Sequence, residues 1–293
     1  MSILQRDMAS DDRAALERAV AVLEHPNLIT RLSGLAGKPV ELIGNLTPNV
    51  VSGLVARASQ KALMVALRLA MTTLTTKKPL WRSELLHKVA AAGSGAVGGT
   101  FGLATLPIEL PISTTLILRS IAEIARHEGE DLSNPEAALA CVQVFALGSG
   151  KEDTNPAESS YFAVRAALAQ SMAEAARFIT EHGFIGQGAP VMIRLASEIA
   201  TRFGIVVSQK VAAQAVPIIG ALGGAAVNTA FMDHYQDLAR AHFTVRRLER
   251  IYGRAVVRQA YDAIRHRAGA DPASDGALAI LPPPGKGVWD RDN

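Results

Sequence analysis

Two stretches without a charged residue decide the fold: VAAAGSGAVGGTFGLATLPI at Val89–Ile108 and VAAQAVPIIGALGGAAVNTAFM at Val211–Met232. Each contains Gly-Ala-Val/Leu-Gly-Gly, at residues 95–99 in the first and 220–224 in the second. Glycines four residues apart let two helices approach backbone to backbone. We therefore predict that two glycine-bearing helical segments pack together at the centre of the protein. The predicted packing positions are Gly95, Gly98, Gly99, Gly102, Gly220 and Gly224.

The composition of the chain favours helices over sheets. Hydrophobic residues make up 49% of the 293 residues and aromatic residues only 5%, so alanine and aliphatic side chains dominate the apolar content. Such side chains suit close helix packing, and no stretch alternates long enough with the period of two that a strand requires. The sequence predicts an all-α protein built as a multi-helix bundle, with two Gly-rich helical segments packed centrally, and leaves association with a membrane open.

Several classes of function have no support in the sequence. One cysteine, Cys141, excludes an intrachain disulfide and metal sites that need several thiolates. The glycines at 93–98 match a dinucleotide fingerprint, but a helical pattern stands where the fingerprint needs a strand, and we predict no cofactor. The net charge of +3 is too diffuse to predict nucleic-acid binding. The N-terminal residues lack the apolar segment of a secretory signal, which favours a cytoplasmic protein.

Start and stop signals divide the chain into helices and segments. The predicted helices are Asp11–Glu24, Pro48 to about Leu74, Leu116–His127, Pro135 to about Leu147, Tyr161–Glu181, one after Pro190, and a helical region from Val206 to Arg267 interrupted at Pro217 and Gly253. A loop containing Gly34 and Gly37 is predicted after the first helix. We divide the chain into an N-terminal helix and loop at 1–46, a helical domain at 47–267 with halves 47–147 and 159–267, and a flexible Pro/Gly-rich tail at 268–293.

The uncharged stretches allow three locations. Val211–Met232 is long enough to cross about 30 Å of hydrocarbon as a helix. Its aliphatic side chains favour insertion, whereas Gln214, Pro217, Asn228 and three glycines oppose it, so the predicted insertion free energy is near zero. Burial inside a soluble bundle, shallow insertion of a helical hairpin and full spanning all remain open at this point.

Arginines recur every four residues directly after the second uncharged stretch. Arg246, Arg250, Arg254 and Arg258, with Arg247 beside them, would form a basic ridge along one helix. A basic ridge next to an uncharged helix suits an anionic membrane surface on the cytoplasmic side. An ordinary solvated helix face is the alternative. Nucleic acid ranks third and is not predicted as a partner, because no aromatic residues are interleaved for base stacking.

The candidate catalytic residues are Glu109, Asp233, His234 and His242. His234 and His242 are about 12 Å apart along a helix, too far for one metal ion to bind both, and we predict no metal site. Capped or salt-bridged residues at the end of an apolar helix are the structural interpretation of this group. Glu109 ends the first uncharged stretch, where a carboxylate needs a partner, and Arg119 or the arginine ridge could supply one.

Two ordered blocks carry a family resemblance. The first runs from Gly93 to Gly129 and contains Leu-Pro-Ile-Glu-Leu-Pro, Leu-Arg-Ser-Ile-Ala and His-Glu-Gly-Glu-Asp. The second contains Pro-x-Ile-Gly-Ala at Pro217 and His-Phe-x-x-Arg-Arg-Leu-Glu at His242. Over roughly residues 50 to 267 the chain resembles the EcsC protein family, which is named after a gene in an operon with an ABC transporter. The matching positions are Gly98, Gly99, Glu109, Pro111, Gly220, Gly224, Asn228, His242 and Arg246.

The resemblance implies a bacterial helical protein, cytoplasmic or membrane-associated, with no settled biochemical activity. Our leading hypothesis is a non-enzymatic accessory protein at the cytoplasmic face of the inner membrane, linked to transport or envelope processes. Its partners would be an anionic membrane surface and an ABC transporter or another membrane protein. The competing hypothesis is a helical, metal-dependent enzyme with a buried Glu/Asp/His site, and a soluble scaffold is third. The oligomeric state cannot be predicted.

Overall fold

The structure, a computed structural model, describes residues 8–26, 28–36, 49–70, 106–149, 160–182, 189–214 and 220–270. The helices in these ranges are α1 (Ser10–Glu24), α2 (Leu28–Ala36), α3 (Asn49–Leu69), α4 (Leu106–His127), α5 (Pro135–Gln143), a 3-10 turn (Val144–Ala146), α6 (Ser160–His182), α7 (Pro190–Gln214), α8 (Gly220–Tyr252) and α9 (Arg254–Ala270). Across the described ranges there is no strand, so the all-α prediction is confirmed.

The longest helix, α8, organises the bundle. Its 33 residues extend over roughly 50 Å. α8 packs against α1, α2, α4 and α9, while α3 fills the space between α4 and α7. The helices α4 and α8 run in the same direction, because Gln236 bonds to Ser120 at 2.8 Å and Arg247 bonds to Glu128 further along both helices. The start of α4 therefore lies near the start of α8, and its end lies near the arginines.

An aromatic cluster fills the middle of the bundle. The rings of Phe145 and Tyr235 are 5.1 Å apart, and Phe203 and Phe231 contact the same tyrosine at 5.9 and 5.2 Å. All four side chains are buried. The cluster joins the 3-10 turn to α7 and α8, and burial of aromatic side chains of this size stabilises a core strongly.

Most of the predicted helix boundaries are confirmed. Asn134 caps α5 by accepting a bond from the Glu136 N–H at 2.9 Å, with Pro135 in the first helical position. Gly253 separates α8 from α9 with a φ of +88°, a conformation that favours glycine. The predicted interruption at Pro217 lies outside the described residues.

Two local predictions are wrong. Residues 28–36 form α2 instead of a loop, because Leu28 and Leu32 lie one turn apart and are both buried. The helix predicted from Leu116 begins ten residues earlier, at Leu106, and continues through Pro111. Pro111 is the sixth residue of α4, just past the four N–H groups that have no helical acceptor, so it removes one helical bond, the one to the Pro107 carbonyl.

Only two of the six glycines predicted to pack together lie in the part of the chain that the structure describes. Gly95, Gly98, Gly99 and Gly102 lie outside the described residues, as does most of the predicted tail, whereas Gly220 and Gly224 lie in the first turns of α8. The direct contact between the glycines and the division into domains therefore stay predictions. Across the part of the chain that the structure describes, no helix combines the length and the apolar character needed to cross a membrane.

Candidate functional site

A buried ion pair joins the described ends of the two uncharged stretches. Lys210 lies at the end of α7, immediately before Val211, and Glu109 lies in the first turn of α4, immediately after Ile108. The Lys210 Nζ is 2.6 Å from the Glu109 Oε1. The flanks of the two stretches are therefore neighbours in the fold. We call this region, Leu106–Leu110 with Lys210, Val211 and Phe231, the apolar end of the bundle.

The two members of this ion pair differ in exposure. The Lys210 side chain is 0% exposed, whereas the Glu109 side chain is 25% exposed. The ammonium also lies 4.8 Å from the centre of the Phe231 ring, an arrangement that stabilises a cation. Burial lowers the pKa of Lys210, and the negative charge of Glu109 acts in the opposite direction. Glu109 is thus paired with Lys210 and not with the expected Arg119 or the arginine ridge.

An isoleucine protrudes beside the ion pair. The Ile108 side chain is 69% exposed in the first turn of α4, while the neighbouring Leu106 and Leu110 are buried. Isolated exposed apolar residues are common on soluble proteins. Ile108 differs from such residues in its position. It is the last residue of the first uncharged stretch, and the contact of its neighbour Glu109 with Lys210 brings it close to the start of the second stretch.

The four candidate catalytic side chains do not converge on one point. Glu109 is at the apolar end, Asp233 is exposed, and His234 and His242 are buried at different levels of α8. Within the described ranges, no group of three or more His, Cys, Asp or Glu residues comes together in a way that could hold a metal ion. The structure therefore does not assemble these residues into one site.

At the opposite end of α8, the arginines form ion pairs within the chain. Arg246 binds both carboxylate oxygens of Glu130, at 2.8 and 3.1 Å, and Arg250 binds the same carboxylate. The Glu130 side chain is 5% exposed. The guanidinium groups of Arg246 and Arg250 hold the pKa of Glu130 below its usual value, although burial acts in the opposite direction.

The neighbouring arginine has two carboxylate partners. Arg247 bonds to Glu128 at 2.9 Å and to Asp12 of α1 at 3.0 Å. The Tyr252 hydroxyl donates to the second oxygen of Asp12 at 2.8 Å. Bonds from Tyr252 and Arg247 lower the pKa of Asp12, so its carboxylate is favoured over the acid. These contacts fix the start of α1 to the end of α8.

A buried chain of hydrogen bonds connects His242 to Tyr161, Arg165 and Glu249. Arg165 donates to the Tyr161 oxygen at 3.2 Å and binds Glu249 at 2.8 and 2.9 Å. The Tyr161 oxygen is 3.0 Å from His242 Nδ1. Tyr161 accepts from Arg165, and it can either donate its O–H to Nδ1 or accept a second bond from an Nδ1–H, so the tautomer of neutral His242 follows the position of the proton in this bond. The Nε2 atom has no protein partner among the described residues.

The predicted arginine ridge is divided by the fold. Arg246, Arg247 and Arg250 lie on α8 and bind acidic residues, whereas Arg254 and Arg258 lie on α9 beyond Gly253. Arg254 and Arg258 are exposed. Arg258 also lies 4.9 Å from the centre of the Phe162 ring and 3.9 Å from Asp262. Binding of lipid or of a partner by the five arginines stays a prediction.

The buried histidines predict a loss of stability in mild acid. Burial lowers the pKa of His234 to about 3, with Arg31 as a second cause. Burial and the charges of Arg165 and Arg246 hold the pKa of His242 well below its usual value. Below about pH 6.5 the unfolded chain binds protons that the folded chain does not, so stability falls with pH by about 1.4 kcal/mol per unit for each histidine.

Replacing His234 with leucine is expected to remove about half of this slope between pH 6.5 and pH 5, a window above the usual titration range of the carboxylates. Urea denaturation followed by circular dichroism measures the free energy of unfolding at each pH. The control is the same comparison at pH 8, where both histidines are neutral in the folded and the unfolded chain. An unchanged slope in the variant would show that His234 is protonated equally in both states.

A small cleft lies beside the Tyr161 network. It is lined by Leu23, Glu24, Pro26, Leu147, Gly148, Ser149, Tyr161 and Val164. The space open to the centre of a water-sized sphere is about 20 Å³. That volume suits a single water molecule and is far smaller than an organic substrate requires. The cleft therefore gives no support to a substrate site.

Several of these residues were missed in the sequence. Lys210 is the first charged residue before the second uncharged stretch, just as Glu109 is the first one after the first stretch. This mirrored placement is a signal that could have identified the pair. The acidic partners Asp12, Glu128 and Glu130 gave no comparable signal, because they are more than a hundred residues from the arginines they bind.

The fold and its polar contacts define an all-helical bundle with an arginine–carboxylate network at one end of α8 and the Lys210–Glu109 pair, at the flanks of the two uncharged stretches, near the other. The model of the EcsC protein family matches residues 12–248, and the chain belongs to this family. The resemblance seen in the sequence is thus confirmed, with a match that begins earlier and ends sooner than residues 50 to 267. A search of curated proteins and a search of solved structures each found no match.

Proposed function

We propose that this protein is a non-enzymatic accessory protein that associates with the cytoplasmic face of the inner membrane through the apolar end of its bundle. The role would be linked to transport or envelope processes, with an ABC transporter or another membrane protein as partner. The observation that carries the proposal is the exposed Ile108 at the place where the flanks of both uncharged stretches meet.

The distribution of charge favours the apolar end of the bundle, and not the charged end, as the membrane contact. At the charged end, Arg246, Arg247 and Arg250 already have carboxylate partners, which reduces what they can offer to lipid headgroups. Phe231 at the apolar end and Tyr252 at the charged end are separated by roughly 30 Å along α8. In an orientation with α8 upright on the bilayer, Ile108 can contact the surface while Arg254 and Arg258 lie roughly 30 Å away from it, where these exposed arginines are available to an acidic protein partner.

The competing hypothesis of an enzyme has less support. Asp233 and His234 are consecutive in α8 but differ in exposure, His242 lies about two turns further along the helix, and Glu109 is paired with Lys210. The cleft beside Tyr161 has room for about one water molecule. Acid–base chemistry requires side chains within hydrogen-bond reach of one bound substrate. The geometry of the described residues offers no such arrangement, so the binding protein is the better supported function.

Vesicle flotation tests the proposal. Replacing Ile108 with aspartate is expected to weaken binding to vesicles by about tenfold, because a charged side chain replaces one that would be buried in the bilayer interface. Ile251 provides a matched control, since it is 50% exposed and lies at the charged end of α8. Ile251→Asp should bind vesicles like the unchanged protein.

If both variants lose vesicle binding equally, exposed apolar residues in general, and not Ile108 in particular, account for the binding. If both variants bind vesicles as well as the unchanged protein does, the apolar end is not the membrane contact. Circular dichroism of each variant establishes that its helices are intact before flotation.

A further inference from the structure

The Lys210–Glu109 pair at the apolar end has an unusual construction. Lys210 is completely buried, and its ammonium lies between the Glu109 carboxylate and the face of the Phe231 ring. In the part of the chain that the structure describes, Glu109 is the carboxylate in contact with this ammonium. Water and membrane can reach Glu109, which is partly exposed, but they cannot reach Lys210. The buried Lys210 ammonium therefore depends on the Glu109 carboxylate, whose own charge is affected by water or by a membrane surface next to it.

Loss of the Glu109 charge would act on two helices at once. An ammonium without a counter-charge is strongly disfavoured in a buried site, so Lys210 must either lose its proton or carry its charge to water, and the catch requires the second response. Because Lys210 lies in the last turns of α7, its exposure requires this part of α7 to move away from the start of α4 and from Phe231. Buried apolar side chains at this end, among them Leu106, Leu110 and Val211, would then become exposed.

An anionic membrane surface favours this change. Its negative potential raises the free energy of the Glu109 carboxylate and attracts the Lys210 ammonium. A lipid phosphate also supplies oxygen atoms that accept strong charge-assisted hydrogen bonds from an ammonium. The apolar side chains exposed by the movement would enter the bilayer interface at the same place.

We propose that the Lys210–Glu109 pair is a conformational catch that opens at an anionic membrane surface, where a lipid phosphate replaces Glu109 as the counter-ion of Lys210. The inference rests on the proposed function, because it describes how the apolar end is kept closed away from the membrane. It assigns Lys210 as a binding residue for anionic headgroups and Glu109 as the group that competes with them.

Hydrogen–deuterium exchange measured by mass spectrometry tests the catch without relying on membrane binding. Glu109→Gln is expected to speed exchange at residues 106–114 and 205–214 in solution, while α1 and α6 keep their protection. Lys210→Met removes the buried charge and should leave both segments protected. Arg31→Gln is the matched control: it breaks the 2.8 Å ion pair between Arg31 and Asp237, which involves neither α4 nor Lys210, and should leave both segments unchanged.

Vesicles made with and without phosphatidylglycerol in phosphatidylcholine complete the test. In the unchanged protein, only the vesicles with the anionic lipid should speed exchange at residues 106–114 and 205–214. Glu109→Gln should bind these vesicles several-fold more tightly, and Lys210→Met should lose most of the preference for anionic lipid. Circular dichroism verifies that each variant is folded.

The outcomes separate the catch from the proposed function. Protection that persists in Glu109→Gln would overturn the catch, and so would anionic vesicles that bind the unchanged protein without altering exchange at the two segments; in the second case the proposed function would stand. Failure of every protein to bind either kind of vesicle would overturn the proposed function and the membrane-opened catch together.

Discussion

Replacing Glu130 with alanine is expected to lower the free energy of unfolding by about 2–4 kcal/mol. The Glu130 carboxylate is almost fully buried and is shared by Arg246 and Arg250. Its removal leaves the largely buried guanidinium of Arg246 without its counter-charge. The expected loss is below the range for completely buried pairs, because both arginines keep some exposure to water. Urea denaturation at pH 7.5, followed by the helical circular dichroism signal, measures this change.

The adjacent carboxylate provides a matched control for Glu130. Glu128 binds Arg247, but Arg247 also binds Asp12, so Glu128→Ala leaves that arginine with one carboxylate partner. We expect Glu128→Ala to cost about 1 kcal/mol or less, as for a partly exposed ion pair. If the two variants lose equal stability, the pairing of two arginines with one buried carboxylate is not what holds this end of α8.

Replacing Gly148 with alanine is expected to destabilise the protein by about 2–4 kcal/mol. Gly148 follows the 3-10 turn with a φ of +77°, which is unfavourable for residues with a Cβ. A Cβ at this position would lie 2.7 Å from Leu238 Cδ1 and 2.9 Å from His234 Nε2. Both side chains are buried in the bundle, so they can move aside only by disturbing their own packing.

A second variant, Gly253→Ala, distinguishes the backbone strain of the Gly148 substitution from its steric clash. Its φ of +88° imposes a similar backbone strain, but nothing lies within 4 Å of the place where a Cβ would be. Gly253→Ala should therefore lose only about 1–2 kcal/mol. The comparison is made by thermal and urea denaturation of the two variants beside the unchanged protein. A smaller loss for Gly148→Ala than for Gly253→Ala would contradict the close packing of Gly148 against α8.

Local signals in the sequence were sufficient for most of the helices. The cap and proline at Asn134-Pro135, the stop after Glu24 and the break at Gly253 all depend on residues close together in the chain, and the structure has each of them. The start of α4 was predicted ten residues too late, at Leu116, whereas the helix begins at Leu106 and continues through Pro111. A proline at the sixth helical position removes one helical bond, and burial of Leu106 and Leu110 favours the helix despite that loss.

The candidate site could be predicted only in part. Glu109 was recognised because a carboxylate beside an uncharged stretch needs a partner, but the sequence did not indicate which of the chain's cations would supply it. Lys210 is 101 positions away and becomes the partner only when α7 packs beside α4. The arginines showed the same limit, since their regular spacing suggested a free basic surface and their acidic partners come from α1 and the turn after α4.

The sequence by itself determined the helical class, the membership of the EcsC family and the two uncharged stretches, because composition, periodicity and motifs are properties of neighbouring residues. Only the tertiary structure decided which charges are neutralised. Ion pairing depends on a separation of a few ångströms between side chains that are distant in the chain, and the packing of α1, α4 and α7 around α8 sets that separation. The same packing leaves Ile108 exposed and buries Lys210 beside it.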